Sequence, residues 1–309
     1  MLHYLAIDIG GSKTKFIVST SELKDVHTVE TEGFGFSIDS EDDLPRFRQV
    51  LHSIDDKFNV CSVAVNLGGK NKNQIYKIVS DVFSGVKAKV FRESEGLASV
   101  AFGKSCGADA VLLAGTGTIV TAFSPDGRCI IGGGWGMNIG DGGSGYYIGL
   151  EAIRRSLFAL DNTRPLTELQ KEITGLAAPI LSSDDAEKVC AIRDEVRGRI
   201  FPLERKRVAS FAKTVAAHCQ NGEEDALAIM ADAGIEMAKI VANSANKLLP
   251  HRVQKVAVSG GLVKVNDYWK DEFEKTVSRA CSINQFVYDA DGVMLGTKII
   301  ALENNNMEV

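Results

Sequence analysis

The sequence predicts an α/β fold of two duplicated lobes that face a shared crevice. Three observations carry this. Residues 5–18, LAIDIGGSKTKFIV, read as an apolar strand, a glycine turn and a second β-branched strand. About a hundred residues later, 110–123, AVLLAGTGTIVTAF, repeat that pattern. Around both copies, apolar strands alternate with helix-period segments, which is the signature of α/β units. A chain of 309 residues has room for two such domains, expected at 1–109 and 110–309.

The first turn carries the most chemistry. Its glycines, Gly10 and Gly11, let backbone N–H groups approach an anion, and Ser12, Lys13 and Thr14 add polar donors, a geometry suited to a polyphosphate. Asp8, at the strand end, would position Mg²⁺ through its water shell. A Walker A loop does not fit, because Ser12 rather than glycine precedes Lys13 and a strand rather than a helix follows. A dinucleotide fingerprint fails on the same ground. Read alone, the stretch fits an ordinary glycine hairpin equally well. The second turn, Gly115, Thr116, Gly117 and Thr118, favours one nucleotide clasped by two hairpins.

Composition excludes several classes. A net charge of −5 without a sustained Lys/Arg stripe argues against nucleic acid as the partner, and Arg205, Lys206 and Arg207 read as a solvated helix face. No cationic leader with an apolar segment is present, and no run approaches the roughly 18 apolar residues that span a bilayer, so no membrane contact and a cytoplasmic location are expected. The cysteines form no C-x-x-C pair, which speaks against a disulfide framework or zinc ribbon and for buried thiols. His218 and His251 stand isolated, without a partner that suggests a metal.

In chain order, 25–32 alternate as a third strand. A loop, GFGFSIDSEDD, follows, in which Ser37 either lines a substrate crevice or sits on a plain surface turn. A helix over 44–57 buries Phe47, Val50, Leu51 and Ile54. Residues 61–69, CSVAVNLGG, form a buried strand that brings Asn66 and Gly68 to the crevice rim. Ile75, Ile78, Val79, Val82 and Phe83 mark the next helix, and VKAKVF the next strand. Residues 93–103 then begin a helix at a strand end, where Glu95 is the candidate base, required to come within about 2.6–3.2 Å of a substrate hydroxyl. Stabilisation of the helix start by Glu93 or Glu95 is the competing reading.

Residues 132–149, GGGWGMNIGDGGSGYYIG, suit a loop whose backbone lies against a ligand, with Gly134, Trp135, Gly136, Asp141 and Ser144 as substrate contacts. A helix starts near Ser144, for which Asp141 is alternatively an N-cap. Residues 222–249 carry one long helical packing stripe ended by Pro250. KVAVSGGLV, 255–263, is a strand that ends in Ser259, Gly260 and Gly261, and 292–302 start a last helix.

DIGGSKT, a carboxylate at a helix start, AGTGT and GGWG…GDGGSGYYIG, in this order, resemble the BadF/BadG/BcrA/BcrD ATPase family, and within it the N-acetylglucosamine kinase-like branch, over nearly the whole chain. The resemblance implies an actin-like (ribonuclease H-like) fold of two lobes that bind ATP and Mg²⁺ between them, phosphorylation of an amino-sugar hydroxyl, and a homodimer. It assigns Asp8 and Gly10 to Thr14 to the first phosphate motif, Gly115 to Thr118 to the second, Ser259 to Gly261 to adenosine, and Asp141 to the sugar. Two positions depart from the family pattern: Glu95 stands where an aspartate is usual, and Gly142 where a glutamate is. Other members are ATPases that activate a redox partner through an iron–sulfur cluster. Cys106 and Cys129 flank the second hairpin but lack ligand spacing. A sugar-sensing protein with weak turnover is the third reading.

Overall fold

The structure is a computed structural model that describes residues 1–10, 13–34, 43–69, 71–137, 139–162, 164–180 and 185–306. In chain order its elements are β1 His3–Ile9, β2 Lys13–Ser19, β3 Asp25–Glu32, α1 Asp43–Asp55, β4 Val60–Leu67, α2 Lys72–Val82, β5 Lys87–Arg92 and α3 Leu97–Cys106. Then come β6 Ala110–Ala114, β7 Thr118–Phe123, β8 Cys129–Gly133, α4 Gly145–Leu160, α5 Glu168–Thr174, α6 Ala186–Ile200, α7 Arg205–Gln220 and α8 Glu224–Asn246. The chain closes with β9 Lys255–Ser259, α9 Gly261–Val265, α10 Lys270–Cys281, β10 Gln285–Tyr288 and α11 Gly292–Asn306.

The strands form two five-stranded sheets, ordered β3-β2-β1-β4-β5 and β8-β7-β6-β9-β10. These are one topology used twice: β1 pairs antiparallel with β2 and parallel with β4, and β6 pairs antiparallel with β7 and parallel with β9. Both glycine turns therefore occupy the same place in their sheets. The central strands are apolar because both sheet faces are covered. Phe16, Phe47, Leu51, Val63 and Ile75 are fully or almost fully buried in the first core, whereas Val120, Met230, Met237, Val258 and Trp269 anchor the larger helical core of the second.

The last helix returns to the first sheet. α11 packs on β1, β4, β5 and α3, with Val293, Ile300 and Ala301 against Tyr4, Phe91 and Ala98. The approach to α3 is so close that a Cβ on Gly296 would overlap the Ala98 carbonyl. Gly296→Ala is therefore expected to cost about 1–3 kcal/mol, read as a lowered melting temperature. An unchanged melting temperature would show that this crossing is looser than its geometry.

Two local expectations change. β5 leads into a single 3-10 turn, Glu93–Glu95, and α3 starts only after Gly96, whose φ of +71° breaks the helical run. Of the cysteines, Cys219 is buried, Cys61, Cys106 and Cys281 are intermediate, and Cys129 and Cys190 are exposed, so the expectation of mostly buried thiols does not hold. Among the described residues no helix is long and apolar enough to cross a membrane.

His218 is not isolated. Its Nε2 lies 2.9 Å from Glu172 and its Nδ1 2.8 Å from Glu223, which also accepts the Leu169 N–H at the start of α5. Burial disfavours the charged imidazole, but the two carboxylates outweigh it and raise the pKa above the ordinary 6.5. The stabilisation is complete below pH 6.5 and is lost as the pH rises through the raised value. The melting-temperature gap between wild type and His218→Gln should accordingly narrow as the pH climbs from 6 to 9, and a gap independent of pH would contradict this.

Candidate active site

The first turn hangs from the central strand. β1 register sets Asp8 beside Lys15 of β2 and Asn66 of β4, and Asn66 Nδ2 donates to Asp8 Oδ1 at 2.8 Å. Gly10 N–H closes the turn on the Lys13 carbonyl at 3.0 Å. Burial raises the Asp8 carboxyl above its ordinary pKa, although Asn66, Lys13 and Lys15 pull against it. Asn66 Oδ1 is buried beside it and meets no hydrogen-bond donor among the described residues. A desolvated carboxylate next to an orphaned amide oxygen is a hard-oxygen set that fits a hydrated Mg²⁺.

The remaining residues of this turn divide. Lys13 reaches out to Glu30 at 3.0 Å. Thr14 is fully buried and its hydroxyl accepts the Phe34 N–H, so it faces the core rather than a phosphate. Gly68 N–H donates to Ile9 O across the strand ends. Gly11, Ser12 and Ser37 lie outside the described residues.

The second turn is strapped to a helix start. Gly115 N–H bonds to Gly117 O at 2.9 Å, while the Gly115 and Thr116 carbonyls accept Gly145 and Tyr146 N–H. Ser144 caps α4 by accepting Tyr147 N–H at 3.1 Å, and its side chain is fully buried. The first N–H groups of α4 are thus satisfied by the protein itself, and Ser144 serves the helix.

Asp141 is 3% exposed and sits at φ +57° beneath this turn. Its Oδ1 accepts Thr118 N–H and its Oδ2 accepts Arg205 Nη2, both at 3.3 Å. Gly117 lies flat against the pair. Thr118 Oγ1 is buried nearby and has no partner among the described residues. Arg205 therefore departs from the expected solvated face: the first residue of α7 points inward. Trp135, by contrast, is 75% exposed, Gly134 rests on Ile119, and Gly136 has open space around it, so this part of the loop faces solvent.

The strand-end carboxylates are sorted by the 3-10 turn. Glu95, expected at the crevice, is turned to Lys72, whose Nζ lies 2.9 and 3.1 Å from its two oxygens, and it also accepts Arg92 N–H. Glu93 takes the inner position. Burial, then the charges of Asp8 and Asp141, outweigh Arg205 and push its pKa to about 7. One carboxylate thus feels groups of both lobes.

On the far side, Ser259 Oγ accepts Val293 N–H at 3.1 Å and so starts α11, and Gly260 presses on the Ala114 carbonyl. Gly261 alone of the three faces open space. Asp291 bridges the lobes by pairing with Lys15 at 3.2 Å and Lys264 at 2.8 Å. A cavity of about 780 Å³ lies beyond the last turns of α4, between Phe158, Arg164 and Gln170, and contains none of these groups.

Two topologically equal sheets, each presenting a glycine turn beside a carboxylate at one crevice, define a two-lobed, actin-like α/β protein. The chain belongs to the BadF/BadG/BcrA/BcrD ATPase family, whose model matches residues 5–296. It is 26% identical over 285 residues to an N-acetylmuramic acid/N-acetylglucosamine kinase of Clostridium acetobutylicum, covering 89% of this chain and 90% of that one. An N-acetyl-D-glucosamine kinase of Dictyostelium discoideum is 29% identical over 186 residues, 54% of this chain and 57% of the relative. A ROK family glucokinase from Streptomyces griseus, solved in complex with glucose and AMPPNP, superposes with a TM-score of 0.65 at 13% identity, covering 97% of this chain and 99% of that one.

Proposed function

We propose that the protein transfers the γ-phosphoryl group of Mg²⁺–ATP to a hydroxyl of an amino sugar, N-acetylglucosamine first among them. The observation that carries this reading is the convergence of both turns, with Asp8 under one and the Asp141–Arg205 pair under the other. The kinase names of the sequence relatives narrow the acceptor to amino sugars.

In this reading the two turns, residues 10–14 and 115–118, hold the phosphates between them, with Thr118 Oγ1 as an added donor. Asp8 and Asn66 Oδ1 hold the hydrated Mg²⁺, which neutralises charge on the phosphates. Gly260 and Gly261 offer the nucleoside a flat backbone. Asp141, fixed by Thr118 and Arg205, orients the sugar by accepting from its hydroxyls, and Gly134, Trp135 and Gly136 cover it from the solvent side. Asn66 and Gly68 line the facing rim. Because such transfer needs positioning and charge stabilisation above all, closure of the lobes over the sugar limits wasteful hydrolysis. A cytoplasmic location and a homodimer belong to the same reading, the latter checked by light scattering.

The test is coupled ADP release with Mg²⁺–ATP across amino sugars, neutral hexoses and muramic-type sugars. Release that depends on N-acetylglucosamine and on Mg²⁺ is expected. ADP release indifferent to every sugar would overturn the reading.

A further inference from the structure

We propose that Glu93, not Glu95, is the catalytic base that takes the proton from the attacking sugar hydroxyl. The inference rests on the kinase reading above and names a residue of that same site.

Position is the first argument. The parallel register of β4 and β5 pairs Leu67 with Arg92, which brings Glu93 level with Gly68 at the carboxyl edge of the sheet. There Gly68 has no side chain, and Glu93 Oε2 lies 3.8 Å from where a Cβ would stand. The Glu93 carboxylate thus lies over bare backbone at the crevice edge. It stands within electrostatic reach of Asp8, Asp141 and Arg205, the groups that flank the phosphates and the sugar in the proposed complex.

Freedom to accept a proton is the second. Among the described residues no side chain hydrogen-bonds the Glu93 carboxylate, whereas both oxygens of Glu95 are held by Lys72 and one also accepts the Arg92 N–H. For Glu95, burial is outweighed by those bonds, which hold its carboxyl below the ordinary value and make it the weaker base. For Glu93, the carboxyl pushed up to about 7 suits proton uptake near neutral pH. Glu95 holds the turn; the turn aims Glu93.

The step balances without any further reactant. As the sugar oxygen bonds to the γ-phosphorus, the bridging P–O bond breaks and ADP leaves with its electron pair. The hydroxyl proton passes to a Glu93 oxygen and then to water after product release.

Full-length wild type, Glu93→Gln, Glu93→Asp and Glu95→Gln are compared by ADP release with the best sugar of the screen, alongside ATP affinity and melting temperature. Glu93→Gln should lose at least about 10²-fold in kcat, with ATP affinity within about threefold and a melting temperature no lower than wild type. Glu93→Asp should recover part of that loss, and Glu95→Gln should stay within about tenfold of wild type. The assignment is overturned if Glu93→Gln keeps activity within about threefold, or if a folded Glu95→Gln shows the hundredfold loss. A wild type whose ADP release no sugar increases fails one step earlier, at the kinase reading, and withdraws the base with it.

Discussion

Asp141→Asn is expected to lower kcat/KM for the sugar by about 10³-fold, the equivalent of about 4 kcal/mol, while ATP affinity changes little. Asp141 is buried and accepts from Thr118 N–H and Arg205 at once. An amide of the same shape keeps one acceptor oxygen and turns an NH₂ toward the other donor. It also removes the negative charge that faces the Arg205 guanidinium, which is 25% exposed. Loss of one charge of this partly buried pair should lower the melting temperature as well. Steady-state kinetics with varied sugar and fixed saturating ATP separate the two effects. A variant within about tenfold of wild type would remove Asp141 from the sugar site.

Gly117→Ala should cost about 10²-fold in kcat with little loss of stability. A Cβ here would stand 2.7 Å from Arg205 Nη2 and 2.9 Å from Asp141 Oδ2. Neither contact is backbone, so the fold can yield by moving the two side-chain tips. In the proposed complex those tips are the pair that the sugar and phosphates meet, and misplacement of a reacting group by about an ångström costs about a hundredfold. Melting curves within a few degrees of wild type together with the kinetic loss would bear this out. Full activity would show that the turn does not set the position of the pair.

Much of the fold was legible because it is written locally. β-branched runs around Gly10 and Gly115 gave both hairpins, and the helix-period apolar faces of α1 and α2 gave the alternation. The duplication appears in the structure as one strand order used twice. The return of α11 to the first sheet depends on contacts between distant parts of the chain, and only the small residue Gly296 hinted at the close crossing. In the proposed site, Asp8 and Asp141 are marked by their neighbours in sequence. Arg205 is not, because Arg205-Lys206-Arg207 reads as a charged surface until tertiary packing turns its first member inward. The exchange of Glu95 for Glu93 has a similar cause. A positive φ at Gly96 turns a helix start into a 3-10 turn, and a shift of two residues decides which carboxylate meets the crevice.

The most direct test of the account is a crystal structure with a non-hydrolysable ATP analogue, Mg²⁺ and N-acetylglucosamine. The triphosphate should lie between residues 10–14 and 115–118, with Mg²⁺ waters on Asp8 and the sugar hydroxyls on Asp141. A nucleotide bound elsewhere, or held by one turn while the other faces away, would contradict it.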